Sequence, residues 1–321
     1  MRETNIRGNA TVDPSAAARE CIVDVVVVAY NSQRYLRGCV EQLTQERDFN
    51  VIVVDNGSSH EETLGLRGLR ANVISRSENG GYAAGCNVGW RLGSAPLVLF
   101  LNADTQIAAA SVRGLIAAIS ENGTAGAAAP KLLRPDGTVE LSQRKFPRLR
   151  YTFAEALFLH RFTSADWASD AHRETTDYQR RRSCEWVHGA CLLVRRSVLD
   201  ALEGLDESFF HYCEDADLCY RIRQLGFETW YEPGVTALHI GGGSAARVDL
   251  LPRLVSSKIL YAKKHCQPPT ATFERIGLAL KGFTHMIVSS GLDRRASHGR
   301  SIVVALRPSA RAPTTQLRRM R

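Results

Sequence analysis

No two of the eight cysteines, spread from Cys21 to Cys266, form a CxxC pair. The ligand spacings of common structural zinc sites are therefore missing. Cys39, Cys191 and Cys219 sit inside apolar runs, where cysteine behaves as a small buried hydrophobe, so reduced thiols in a cytoplasmic protein are expected. No apolar run approaches the roughly 20 residues that span a bilayer. The opening "MRETNIRGNATVDPSAAARE" lacks the apolar centre of a signal peptide, and residues 1–20 read as a flexible leader. A GxGxxG fingerprint is absent, which argues against a nicotinamide-type dinucleotide site. No acidic residue follows Asp293, whereas eight arginines do. The net charge of +8 therefore belongs to a basic C-terminal arm, and the rest of the chain is close to neutral. Nucleic acid is not an expected partner. The arm could meet anionic lipid or another polyanion.

With 321 residues and 44% hydrophobic content, the chain can bury a substantial core. "CIVDVVVVAY" (21–30), "FNVIVVDNGSS" (49–59), "ANVISRS" (71–77) and "APLVLFLNAD" (95–104) read as strands, most of them buried on both faces. Helical spacings lie between them, at 31–43, 80–93 and 110–120. Alternating strands and helices predict a parallel sheet with right-handed crossovers and a crevice beyond the strand C-termini. Three polar clusters fall at such ends: Tyr30-Asn31, Asp55 to Ser59, and Asn102 to Asp104. Residues 134–183 are polar and weakly periodic, and a partly mobile surface excursion is expected there. A strand and helix are expected over 184–202, and a helix from about Glu214. Residues 228–244 read as a strand, a turn, a short strand and a glycine-rich loop. From 253 onward the chain reads as helices, with Phe273, Ile276, Leu280, Phe283 and Ile287 forming one apolar stripe.

Each polar cluster has a bland and a functional reading. Asp-Asn-Gly is good turn chemistry, but Asp55 and Asp104 at parallel strand ends could also serve a nucleotide. A divalent cation on a diphosphate needs only one or two protein carboxylates. Gly81, Gly85 and Gly89 could admit a ligand or allow close helix–sheet packing. In "EDAD" (214–217), acids favour a helix N-terminus, yet three in four residues exceed what capping needs, and one could take a proton from a hydroxyl. His239 is structural or a metal ligand beside the Gly241–Gly243 loop, which could close as a lid.

The segments "VVVVAYNS", "VVDNGSS", "ENGGYAAGCNVG", "LFLNADT", "WVHGACLLVRR", "FFHYCEDADLCYRIRQLGF" and "ALHIGGGS" occur in this order over about 23–244. Together they resemble the family 2 glycosyltransferases, inverting enzymes of GT-A fold, and look most like the rhamnosyltransferase-type members. The resemblance implies an α/β GT-A domain over 21–245, with a Rossmann-like, mostly parallel nucleotide-binding sheet flanked by helices. Residues 246–321 would form a helical extension and a basic, disordered tail. It further implies that Ala29, Tyr30 and Asn31 pack around the nucleotide and that Asp55 reads its base. Asn79, Gly81, Asn87 and Asn102 would complete the nucleotide-sugar site, with Asn102 at the ribose. Asn102-Ala103-Asp104 stands where the family has DxD, and its amide can still hydrogen-bond a hydroxyl. Asp104 and His239 would hold Mg²⁺ or Mn²⁺. Asp215 would be the catalytic base with Glu214 beside it, and Trp186, Gly189 and Ala190 would line the sugar and acceptor pocket.

The implied partners are a nucleoside-diphosphate sugar (dTDP-rhamnose or a UDP-sugar) and a saccharide or lipid-linked acceptor of bacterial cell-surface polysaccharide. A non-catalytic nucleotide-sugar or glycan-binding protein on the same scaffold is the alternative. For the C-terminal stripe two readings stand. It could be an interfacial segment giving peripheral contact with the inner face of the cell membrane, or it could pack on the catalytic domain.

Overall fold

The computed structural model describes residues 21–66, 68–163, 165–241 and 247–307. The leader 1–20, Gly242 and Gly243 of the expected lid, and the tail beyond Arg307 lie outside the described residues. In chain order the first half comprises β1 (Val23–Ala29), α1 (Gln33–Val40), β2 (Phe49–Asp55), α2 (His60–Leu64), β3 (Asn72–Ser75), α3 (Tyr82–Leu92), β4 (Leu97–Asn102), β5 (Thr105–Gln106), α4 (Ala109–Ser120) and β6 (Ala125–Leu133). The second half comprises β7 (Gln143–Arg144), α5 (Leu149–Ala156), β8 (Arg182–Cys184), β9 (Trp186–Val187), β10 (Cys191–Arg195), α6 (Arg196–Leu202), α7 (Glu214–Gln224), β11 (Glu228–His239), α8 (Arg247–His265), α9 (Thr270–Val288) and α10 (Leu292–Leu306).

The main sheet runs β3-β2-β1-β4-β10-β6-β11-β5, with β8 on β11. The first four strands are parallel; β1, β2 and β4 are apolar runs buried on both faces, and β3 is a partly exposed edge strand. Alternate residues of β1 serve separate cores. Val23, Val25 and Val27 pack with α1 and α4, whereas Val26 and Val28 pack with α3. On the α3 side the glycines are the reason for the close approach: a Cβ on Gly85 or Gly89 would stand 2.6 or 2.3 Å from a methyl of Val28 or Val26. The packing reading of these glycines is therefore the one the structure carries. Strand register aligns the polar ends, with Ala29 beside Asp55 and Val28 beside Asn102.

Beyond β4 the sheet is mixed. β10 runs antiparallel to both β4 and β6, and so sets Ala190 against Asn102, whose N–H donates to the Ala190 carbonyl at 2.9 Å. β11 is one long strand with an irregularity between Glu232 and Thr236, not two separate strands. Its end pairs antiparallel with β5, matching His239 to Thr105. Residues 134–183 are not a loose excursion. Tyr151, Ala154, Ala168 and Tyr178 are buried, and Arg144–Asp170 and Lys145–Asp166 ion pairs at 2.8 Å fix the segment. All eight cysteines are free thiols, and six of them are buried.

The C-terminal helices begin at Arg247, earlier than their periodicity indicates, and pack on one another around Val255, Ile259, Leu278 and Ala305. His265 of α8 bonds Asp217 of α7 at 2.7 Å, and Thr152 of α5 donates to Glu274 of α9 at 2.7 Å. α9 buries Glu274, Gly277, Leu278 and Gly282. Its apolar stripe faces outward: Phe273, Ile276, Phe283 and Ile287 are 48%, 51%, 51% and 58% exposed. The described contacts thus do not seat the stripe on the catalytic domain. Among the described residues no helix is long and apolar enough to cross a membrane.

Gly89→Ala is expected to lower stability by about 1–3 kcal/mol through overpacking against Val26. Gly123→Ala, where a Cβ meets nothing within 4 Å, should change it little. Urea unfolding of the two variants checks this.

Candidate active site

Seven of the expected site residues line one cavity of about 400 Å³: Asn102, Trp186, Gly189, Ala190, Glu214, Asp215 and His239. They arrive from the ends of several strands and one helix. Asn102 closes β4, Gly189 and Ala190 join β9 to β10, Glu214 and Asp215 open α7, and His239 closes β11. α7 starts after two non-glycine residues with positive φ, Tyr212 at 71° and Cys213 at 64°. Such backbone is costly and persists only when its surroundings enforce it.

The acids of "EDAD" divide their work. Asp215 accepts from the N–H of Gly189 at 3.0 Å and from that of Ala216 at 2.8 Å, so its carboxylate is fixed at the pocket wall. A Cβ on Gly189 would stand 3.2 Å from that of Asp215, which explains the glycine. Burial raises the Asp215 pKa above the ordinary aspartate range, while the nearby His188 charge and the backbone donors oppose it. Glu214 is buried, its Oε2 has no hydrogen-bond partner among the described residues, and burial followed by the Asp215 charge pushes its pKa well up. Burial thus favours its neutral form. Asp217 is structural, bonded to Arg221 and His265, both at 2.7 Å.

At the sheet edge, His239 Nε2 lies 3.5 Å from Asp104 Oδ1, and His239 Nδ1 meets Glu140 Oε2 at 2.7 Å. The other Glu140 oxygen meets His188 Nδ1 at 2.8 Å. Burial works against a charged His239, but its contacts with Asp104 and Glu140 outweigh that and lift its pKa to about 9. Among the described residues no three His, Cys, Asp or Glu side chains form a ready-made metal cage. The pair Asp104 and His239 nevertheless fits Mg²⁺ or Mn²⁺ on a diphosphate, which takes few protein ligands. A carboxylate on the far nitrogen of a ligating histidine is the usual orienting arrangement, and Glu140 supplies it.

Other expected residues lie in neighbouring loops at the same sheet edge. The Asn31 side chain accepts from Ser59 N–H at 3.0 Å, which ties the loop after Tyr30 to the end of β2. The Asp55 carboxylate accepts from Ser58 N–H and Thr63 Oγ1 and so holds the turn together. Asn79 Oδ1 accepts from Gly81 N–H and from Asn56, whose amide also reaches the Gly81 carbonyl. Gly81 has φ +92°, and a Cβ there would strike the Phe210 carbonyl at 2.4 Å. Asn87 is a correction. Its amide nitrogen donates to Leu205 O and Glu207, and its oxygen accepts from Trp90 and Leu205 N–H. All four positions are occupied in packing α3 against 205–207, so nothing is left for a nucleotide. Among the pocket residues without a sequence expectation are His188, Arg144, Lys258 and Lys281. His188 stood inside the quoted "WVHG" segment, where its neighbours Trp186 and Gly189 were the only available signal.

The sequence profile described as glycosyl transferase family 2 matches residues 24–202, more than half of the chain. The chain belongs to the family 2 glycosyltransferases. Within that class it is rhamnosyltransferase-like. It is 30% identical over 294 residues, 85% of this chain and 95% of the relative, to the N-acetylglucosaminyl-diphospho-decaprenol L-rhamnosyltransferase of Mycobacterium tuberculosis. It is 25% identical over 228 residues, 68% of this chain and 83% of the relative, to the rhamnosyltransferase WbbL of Escherichia coli. The fold matches the mannosyltransferase PcManGT from Pyrobaculum calidifontis, solved with GDP-Man and Mn²⁺, at a TM-score of 0.54 and 15% identity, covering 92% of this chain and 88% of that one. The architecture is thus GT-A.

Because burial raises its pKa, Glu214 contributes stability that is complete below about 4.5, the ordinary glutamate value, and is lost as pH rises toward the folded-state value. Glu214→Gln removes that loss. The melting temperature of the variant relative to wild type should therefore increase as pH rises above about 4.5, as measured by calorimetry.

Proposed function

We propose that the chain transfers a sugar with inversion from a nucleoside-diphosphate donor to a hydroxyl of a saccharide or lipid-linked acceptor, in the assembly of bacterial cell-surface polysaccharide. dTDP-rhamnose is the first donor to test and UDP-sugars are the second. The observation that carries the reading is Asp215, a buried carboxylate fixed by two backbone N–H groups at the wall of the pocket. Residues 21–245 would form the transferase domain and 246–321 its extension, with peripheral contact at the cytoplasmic face of the membrane.

Asp215 takes the proton of the acceptor hydroxyl, and its raised pKa makes it a better base than an ordinary aspartate. The acceptor oxygen attacks the anomeric carbon on the face opposite the leaving diphosphate, so the configuration inverts in one step. A retaining double displacement needs a second, ionised carboxylate as nucleophile. Burial and the Asp215 charge disfavour ionisation of Glu214, which makes it a poorer nucleophile and is consistent with the single step. Asn102 would hydrogen-bond the ribose, and Asp104 with His239 would hold Mg²⁺ or Mn²⁺, which when bound would offset charge on the leaving diphosphate.

A donor screen that follows nucleoside diphosphate release with Mn²⁺ and with Mg²⁺ tests the reaction. Tight donor binding without transfer to any acceptor would return the chain to a binding protein. Asp215→Asn should lower kcat by about 10²–10⁴-fold while leaving the donor Kd unchanged. Asp104→Ala should abolish metal-dependent turnover, whereas Asn102→Ala should mainly raise the donor KM. Equal mild losses in both would count against the site.

The pH dependence follows from the same carboxylate. Only ionised Asp215 is a base, so kcat/KM rises with pH through its raised pKa. The His188 charge lowers that pKa, so His188→Gln should move the acid limb of the profile to higher pH. An unmoved limb would detach His188 from the base.

A further inference from the structure

The segment that delivers Glu214 and Asp215 is braced along one side by α8. Arg253, Ser257, Tyr261 and His265 are spaced four apart and form one ridge on that helix. Each meets a residue of 209–217. The Arg253 guanidinium lies over the Phe210 ring at 4.8 Å, and Ser257 Oγ donates to the His211 carbonyl at 2.9 Å. Tyr261 packs among Phe209, Cys213 and Ala216, and His265 Nε2 meets Asp217 Oδ1 at 2.7 Å. The His265 imidazole is itself held against the rings of Tyr220 and Tyr261, at 4.3 and 4.7 Å. Ser257, Tyr261 and Asp217 are buried, so these contacts are shielded from water and are stiffer than the ion pairs of a surface helix.

Two polar contacts bracket the acids. Ser257 holds the residue just before the positive-φ pair Tyr212 and Cys213, and His265 holds the residue two places after Asp215. The two grips are eight residues apart on α8, about 12 Å of helix, so both ends of the segment are fixed to one rod. Left-handed backbone at two successive non-glycine residues needs such enforcement. It is not secured locally, because Cys213 gives α7 no side-chain cap. On another side α8 packs through Val255 and Ile259 against Leu278 of α9 and Ala305 of α10, which back the rod.

We propose that Ser257 and His265 are positioning residues for the transfer, and that α8 is the splint that keeps the Asp215 carboxylate at the pocket wall. The inference rests on Asp215 acting as the base, as proposed above, and gives the C-terminal helices a part in that step. A base displaced by about 1 Å can cost about a hundredfold in rate. Asn102, Asp104 and His239 belong to the sheet edge, so loosening the splint should reduce turnover and spare donor binding.

Steady-state kinetics, donor binding, calorimetry and hydrogen exchange on the full-length protein test this together. His265→Ala should lower kcat between about tenfold and about a hundredfold and leave the donor Kd unchanged. Ser257→Ala should act in the same direction and melt within a few degrees of wild type. His265→Gln should recover kcat to within about threefold, because its amide N–H can still donate to Asp217. In His265→Ala the first-turn amides of α7 should exchange faster while those of β4 stay protected. Leu278→Ala opens a cavity behind α8, so it should lower the melting temperature more than Ser257→Ala does and still keep kcat close to wild type. Exchange in α7 that His265→Ala leaves unchanged overturns the splint. A kcat that tracks the melting temperature across all the variants reduces the ridge to packing and overturns the positioning role. A wild-type chain that releases no nucleoside diphosphate from any donor refutes the transfer reaction instead, and the exchange measurement still reads the splint by itself.

Discussion

Glu140 is shared by two imidazoles, and through it the two sides of the pocket are held in one geometry. One carboxylate oxygen fixes the Nδ1 of His239, whose Nε2 then faces Asp104; the other fixes the Nδ1 of His188, one residue before the Gly189 N–H that grips Asp215. Burial works against the ionised carboxylate, but the two imidazoles hold its pKa well below the usual glutamate range. The exchange is mutual, since without the carboxylate a charged imidazole would be stranded in a partly dry site. A single side chain thus links the group suited to a cation with the group suited to a base, although they come from strands far apart in sequence.

The sheet makes this economy of residues possible. Parallel β1, β2 and β4 end together, so their terminal polar residues fall along one edge. Antiparallel β10 then returns along β4 and delivers Ala190 beside Asn102, and β11 returns to β5 and delivers His239 beside Asp104. The positive φ values at Tyr212 and Cys213 point the first turn of α7 at this edge. Local cost is concentrated where the chemistry needs two acids side by side, and the surrounding packing of Phe209, Ala216 and Tyr261 sustains it.

The parallel half of the sheet was legible because β1, β2 and β4 are continuous apolar runs, the pattern of a doubly buried strand. The strand-end clusters were legible for the same reason: a polar residue immediately after such a run lies at the sheet edge. Glu140 and Arg144 were not: Arg144 is one of several basic residues in a polar stretch, and Glu140 finds its partners 48 and 99 positions away. Asn87 misled in the opposite direction. An amide in a glycine-rich helix looks available, and only the structure shows all four of its hydrogen-bonding positions spent on packing. Periodicity also identified the stripe on α9 but could not say whether anything covers it. The helix packs instead through Gly277 and Gly282, where a Cβ would come within 3.0 Å of Thr152 or 2.7 Å of Ile302.

The distribution of charge along the pocket bears on the proposed direction of transfer. Asp215 stands at the pocket wall, its carboxylate held by the N–H groups of Gly189 and Ala216, with Glu214 beside it. A single displacement requires nucleophile and leaving group to approach the anomeric carbon from opposite faces, so a base held rigidly at one wall helps to fix the line of attack. The burial of Glu214 serves the same end: a second negative charge beside Asp215 would raise the cost of drawing an anionic donor into the cavity, and burial opposes that charge.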